Sequence, residues 1–239
     1  MPKTTTKQIE IDGVEIEIVQ KRMKNMNLRI YPPHGRVRVA APTRLSFKAI
    51  QAFIISKITW IKAKQIEVKN RKVAPKLEFI SGENHSFLGK KYSLEVLENQ
   101  PKNLVKLENE TIKICGKKTL NIKEREKLLD GFYRAELRKI IPQYIVAYEE
   151  KMQVNVAEFQ IKKMKTRWGT CNSRARRIWI NLELAKKPIE CLEFIIVHEM
   201  THLLERKHNK RFYNFMDKFM PNWRVQDGQL KLSGRVIDG

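Results

Sequence analysis

One stretch limits what this chain can fold into more than any other. Residues 194–212 read F-I-I-V-H-E-M-T-H-L-L-E-R-K-H-N-K-R-F, and they hold three of the five histidines. His198 and His202 are four residues apart, so on a helix their imidazoles stand one above the other on one face. Both can reach one metal ion, and Glu199, beside the first histidine, is placed to act as a base. This is the H-E-x-x-H zinc pattern, whose spacing follows from its mechanism. A third ligand, His208, requires more. On a continued helix it would lie about 9 Å further along the axis and on another face. The helix is therefore expected to stop soon after Leu203 or Leu204, and the chain to turn back. A glycine stands at the position of Glu205 in the related metzincin spacing. Here it is absent, so His208 is expected to open the next helix instead, with Asn209 near its start and Phe212, Phe215 and Phe219 as its apolar stripe.

The rest of the chain has to supply a scaffold for that helix. At 239 residues and 42% hydrophobic content it is long and apolar enough for one large domain or two small ones. Residues 8–19 alternate apolar and polar around Asp12-Gly13, a hairpin signal. Leu28 and Ile30, then Val37 and Val39, continue the alternation across the Pro32-Pro33-His34-Gly35 turn, with His34 as a surface residue. Residues 46–69 change to helical period, with Ile50, Phe53, Ile54, Ile58 and Ile61 on one face and Ser46 as N-cap. Strand-like runs return near Ser86–Leu97 and Leu104–Ile114. Residues 122–152 read as helix, in which Pro142 either makes a kink or starts a second helix. A strand at F-Q-I-K-K-M-K follows, then a turn at G-T-C-N-S and a strand over Arg177–Leu182. Pro188 precedes the histidine helix, and Met220-Pro221-Asn222 separates two short helices at the end.

Charge and cysteines bound the setting. The net charge of +22 favours polyanionic partners such as nucleic acid, nucleotides or acidic proteins, or belongs to an ordinary basic surface. No acidic residue lies between Ile18 and Ile66, a span with eleven lysines and arginines. A face of one sign that large leans towards an anionic partner. Cys115, Cys171 and Cys191 are odd in number and widely spaced, which argues against a disulfide framework and for a reducing compartment. With no signal-like start and no apolar run near ~20 residues, the expectation is a cytoplasmic protein without a membrane span.

Taken together, M-K-T-R-W-G-T-C-N-S, I-W-I-N-L-E-L, V-H-E-M-T-H-L and H-N-K-R-F resemble the YgjP-like zinc metallopeptidases, which are similar in turn to SprT-like proteases. Arg167, Trp168, Gly169, Cys171, Asn181, His198, Glu199, His202, Leu203, His208 and Phe212 match the family pattern. Thr170, Met200, Lys207 and Asn209 depart from it without removing a ligand. The resemblance implies an α+β protein: a β-rich N-terminal domain over 1–120, including the helix at 46–69, and a zincin-like catalytic domain over 121–239. It implies Zn²⁺ on His198, His202 and His208, with Glu199 as the catalytic base of a metallopeptidase. Two other readings stand beside it: a metal-dependent nucleoside triphosphate pyrophosphatase, and a nucleic-acid-associated protein with structural zinc. The last is disfavoured because structural zinc sites are mostly rich in thiolate.

The substrate expectations are looser. Zincin folds bind extended peptide at a sheet edge, and Arg177–Leu182 is either that edge or a central strand. Arg167, Trp168, Arg174, Arg176, Arg177 and Asn181 are the expected substrate-binding residues, although Trp168 also suits the core and Arg167 a surface ion pair. Cys171 is either a ligand or redox thiol, or a packed structural one. The acid-free run between Glu158 and Glu183 would give the cleft a positive rim and favour a peptide or protein substrate that is acidic, phosphorylated or held on nucleic acid.

Overall fold

The structure is a computed structural model that describes residues 4–31, 33–70 and 77–232. The chain forms two compact units, Met1–Lys76 and Leu77–Gly239. The fold is α+β in both.

In the first unit, β1 (Thr5–Ile11) and β2 (Val14–Lys21) form the expected hairpin. Its two-residue turn has Asp12 at φ 53° and Gly13 at φ 73°, the left-handed pair that lets two twisted strands meet. β3 (Asn27–Tyr31) pairs antiparallel with β4 (Arg36–Pro42), placing Leu28 opposite Val39 and Ile30 opposite Val37. Pro32 of the intervening turn lies outside the described residues, and His34 is exposed as expected. β2 and β4 run parallel, so the sheet order is β1-β2-β4-β3. Ile16, Ile18, Val37 and Val39 are buried on one face. A slip of one residue would bring Glu15 and Glu17 to that face, so the alternation fixes the register. The helical segment is two helices, α1 (Phe47–Ser56) and α2 (Ile58–Asn70), with the break at Lys57. Ser46 caps the first by accepting from the Ala49 N–H at 3.2 Å, and Ile50, Ile54 and Ile61 close the core.

The second unit begins well before residue 120, the boundary read from the sequence. β5 (Asn84–Phe87), β6 (Lys90–Leu97), β7 (Leu104–Glu108) and β8 (Thr111–Cys115) form a sheet in the order β5-β6-β8-β7. Phe87, Leu94, Ile112 and Ile114 from this sheet share one core with the helices that follow it. Because apolar strand faces cannot be left in water, the sheet belongs with the layer it covers. The long helix α3 (Ile122–Met152) starts with a capping box between Asn121 and Glu124. Pro142 lies inside this one helix and starts no second one. Leu129, Tyr133, Leu137, Ile141, Ile145, Tyr148 and Met152 form its buried stripe.

The remaining elements carry the histidines. β9 (Glu158–Lys162), β10 (Gly169–Asn172) and β11 (Arg177–Asn181) make a sheet in the order β10-β11-β9. One expectation is corrected here and one open alternative is resolved. Gly169–Asn172 is a strand, and the turn follows it at 173–176. Of the two placements the sequence allowed, Arg177–Asn181 is the central strand, so the edges are β10 and β9. A 3-10 turn (Leu182–Lys186) leads to α4 (Ile189–Thr201), followed by α5 (Lys210–Phe219) and α6 (Trp223–Lys231). The β5–β6 turn props the start of α4. Leu88 donates to the Ala185 carbonyl at 2.7 Å, and Gly89, at φ 82°, lies so close to Pro188 that a Cβ would stand 2.9 Å from its Cα. No helix among the described residues is long and apolar enough to cross a membrane.

Candidate metal centre

α4 is buried on nearly every side: Cys191, Leu192 and Phe194 through Thr201 are all buried. A helix of ten buried residues is held by packing all round, so the imidazoles it carries have little freedom. It stops at Thr201, with His202 as its C-cap. The Leu204 and Glu205 N–H groups both donate to the Thr201 carbonyl, which closes the last turn tightly. None of residues 202–208 has positive φ, so this turn needs no glycine. Asn209 then caps α5, its Oδ1 accepting from the Phe212 N–H at 3.1 Å. His208 thus arrives one residue before that cap, beside the first two histidines, as the sequence required.

The three imidazoles converge. One nitrogen from each of His198, His202 and His208 lies within 4.8 Å of the others, and His198 Nε2 stands 3.0 Å from His208 Nε2. Two nitrogens on a tetrahedral zinc at 2.0–2.1 Å lie roughly 3.3 Å apart, so the donor set fits such an ion with a small adjustment. Nδ1 of His202 is 3.1 Å from the Glu205 carbonyl oxygen. Donating a proton there fixes the tautomer that leaves Nε2 as the ligand atom. Burial, reinforced by His202 and His208, pushes the His198 imidazole well below its ordinary pKa, which keeps it in the neutral form a metal requires. Phe212 is buried against all three rings, with centroid distances of 5.0, 4.7 and 4.6 Å to His198, His202 and His208.

Glu199 is 1% exposed and lies against β10. A Cβ on Gly169 would collide with its carboxylate, standing 2.8 Å from Cγ and 2.9 Å from Cδ. Gly169 therefore forms the seat of that side chain, a role the R-W-G-T-C run did not reveal. His202 and His208 open onto a cleft of about 720 Å³ that is also lined by Arg167, Cys171, Asn172, Ser173, Arg174 and Arg206.

The other expected substrate contacts separate. Arg167 and Arg174 line the cleft. Arg176 lines a different depression with Glu149 and Gln153, while Arg177 lies 3.5 Å from Glu158 and within 5.2 Å of the Trp179 ring. Their position in one charged run hid this, because the 173–176 turn sends successive side chains to different sides. Trp168 is fully buried in the core and offers no face to a substrate. Asn181 is also fully buried. Its Nδ2 donates to the Met164 and Arg167 carbonyls at 2.9 and 2.6 Å, and its Oδ1 accepts from the Met164 and Glu183 N–H groups. Both residues shape the loop that leads to Gly169 instead of touching a ligand. Burial pushes the Cys171 thiol up to about 12, with the Glu199 charge adding to the effect, which suits a packed thiol more than a ligand or redox switch. Arg206 was missed, although any residue in the short turn between His202 and His208 must lie near the histidines.

Three converging imidazoles, from α4, its C-cap and the residue before the α5 cap, beside a buried carboxylate on α4 and next to a cleft, are the working parts of a metal-dependent hydrolase. The chain belongs to the YgjP-like family: the family model described as YgjP-like, metallopeptidase domain matches residues 24–233. Among solved structures, the metallopeptidase zymogen of Pyrococcus abyssi abylysin is similar with a TM-score of 0.38 and 13% identity, over 41% of this chain and 99% of that one. No curated protein sequence matches this one.

Proposed function

We propose that the chain is a zinc metallopeptidase whose reaction centre is His198, His202, His208 and Glu199. The convergence of three imidazole nitrogens beside a buried carboxylate on the next residue carries this reading. An all-imidazole donor set with no thiolate suits a catalytic zinc more than a structural one. Zn²⁺ held there would supply Lewis acidity, polarising the scissile carbonyl and lowering the pKa of water to roughly 7. Glu199 accepts a proton from the attacking water and returns it to the leaving amine. Gly169 leaves the room in which that carboxylate sits. The edge strand β10 offers backbone N–H and C=O groups to an extended peptide, which would lie along the cleft as an added strand.

Arg167, Arg174 and Arg206 around the cleft support a preference for acidic or phosphorylated peptide, or for protein held on nucleic acid. The same arginines favour one second reading, nucleoside triphosphate pyrophosphatase activity. Purified protein should contain about one zinc per chain by elemental analysis and cleave an unfolded polypeptide such as casein. His208→Ala should lose the metal. Glu199→Gln should keep it while losing ~10²–10⁴ in rate. Full zinc occupancy in His208→Ala removes that residue from the ligand set, and retained hydrolysis in Glu199→Gln removes the base. Pyrophosphate release without peptide cleavage selects the second reading.

A further inference from the structure

The first unit carries a charge out of proportion to its size. Its 76 residues contain 17 Lys and Arg against 5 Asp and Glu, a net +12, while the other 163 contain 31 against 21, a net +10. The sheet concentrates this further. Leu28, Ile30, Val37 and Val39 face the core, so Asn27, Arg29, Tyr31, Arg36 and Arg38 face outward. Four of the five acidic residues, Glu10, Asp12, Glu15 and Glu17, lie on the β1–β2 hairpin. Two of them are held by bases: Asp12 pairs with Lys62 and Glu17 with Arg38, each at 2.7 Å. Along the outward side of β2 the charge changes sign, from Glu15 and Glu17 to Lys21.

At that basic end lies a cavity of about 240 Å³, lined by Lys21, Met23, Asn27, Arg29, Tyr31, Arg38 and Ala40. Two features make it more than a solvated face. Arg29 stands directly opposite Arg38 in the β3–β4 register, and like charges so placed destabilise a sheet. Arg38 has Glu17, whereas Arg29 has only the Asn27 Oδ1 at 3.3 Å and no carboxylate among the described residues. An anion between the two guanidinium groups would remove the repulsion. Tyr31, half-buried with the Arg36 guanidinium 5.2 Å from its ring, adds an aromatic side chain to the wall of the same cavity.

We propose that the outer face of this sheet binds single-stranded nucleic acid, with phosphates on Lys21, Arg29 and Arg38 and a base against Tyr31. The concavity and the ring select an unpaired strand, because a duplex keeps its bases stacked away from such a wall.

The test uses the full chain and fluorescence anisotropy with a labelled oligouridylate. A labelled duplex and a polyglutamate of equal charge serve as competing probes. Three phosphate contacts give a slope of log K on log salt of about −2 for a single strand, so a fourfold rise in salt lowers affinity roughly twentyfold. Lys21→Glu with Arg29→Glu should lower affinity more than tenfold and flatten the slope. Tyr31→Leu should lower it about fivefold or more, the worth of one stacked base. Circular dichroism checks each fold. If the double reversal does not fold, the exposed single changes Lys21→Gln and Arg29→Gln replace it, each expected to reduce the slope by about 0.7. Unchanged affinity in the folded variants overturns the proposal. So does equal binding of polyglutamate, or a preference for duplex that Tyr31→Leu leaves intact.

Discussion

Replacing Gly169 with Ala tests whether the seat of Glu199 sets the reaction. The new Cβ would stand 2.8–2.9 Å from the Glu199 side-chain carbons, whereas carbon atoms rest at about 3.5–4.0 Å. The carboxylate must then retreat by about 1 Å, because the other partner is strand backbone. A displacement of that size at a reacting group costs about 10²-fold in rate. Crowding of this kind costs about 1–3 kcal/mol of stability, which a protein of this size can tolerate. The assay is kcat on the polypeptide substrate, with zinc content and thermal midpoint measured on the same preparation. The expected outcome is a fall of about 10² in kcat, near-normal zinc and a modestly lower midpoint. Adding Glu199→Gln to Gly169→Ala should cost little beyond Glu199→Gln alone, because both act through one carboxylate. Wild-type kcat in Gly169→Ala, or fully additive losses in the double variant, would refute the reasoning.

Three further outcomes follow from the structure. Asn181→Ala removes the four hydrogen bonds of a buried side chain around residues 164–183 and should cost about 3–5 kcal/mol in urea denaturation; a loss below about 1 kcal/mol would deny Asn181 its role as a clamp. His85 is buried, its Nε2 3.1 Å from Glu83 Oε2, and burial holds its imidazole below the ordinary value although the Glu83 carboxylate opposes this. The folded state therefore binds fewer protons than the unfolded one below about pH 6.5, so stability is full above that pH and falls as pH drops towards the folded value. Thermal melts at pH 7.5 and 5.5 should show a smaller acid loss in His85→Gln than in the parent, and equal losses would contradict the assignment. Charge reversal at Arg174 and Arg206, which line the cleft, should raise KM for an acidic peptide without changing zinc content, while reversal at Arg176 and Arg177 should leave KM unchanged; equal effects from both pairs would show a general field instead of contacts.

Much of this protein is legible from local spacing. Period two fixed the β1–β2 hairpin and the buried sides of β3 and β4, because a strand can bury only alternate residues. Period 3.6 and the i, i+4 histidines placed His198, Glu199 and His202 together, and simple helix geometry required the turn before His208. Where the chain depends on distant partners, spacing was silent. That β11 is central and β10 an edge is set by pairing with β9, which lies nearly twenty residues earlier. That β5–β8 belong with the histidine side is set by which apolar faces meet, a choice the alternation of each strand leaves open. Arg174 and Arg176 differ by two positions yet face different hollows, because a turn redirects side chains that a strand would have kept on one side. Asn181 and Trp168 look like ligand contacts in a motif, and only burial shows that they hold the loop that carries Gly169 to Glu199. Sequence determined which groups could do chemistry; tertiary packing decided which of them face the cleft, since exposure depends on everything that packs around a side chain.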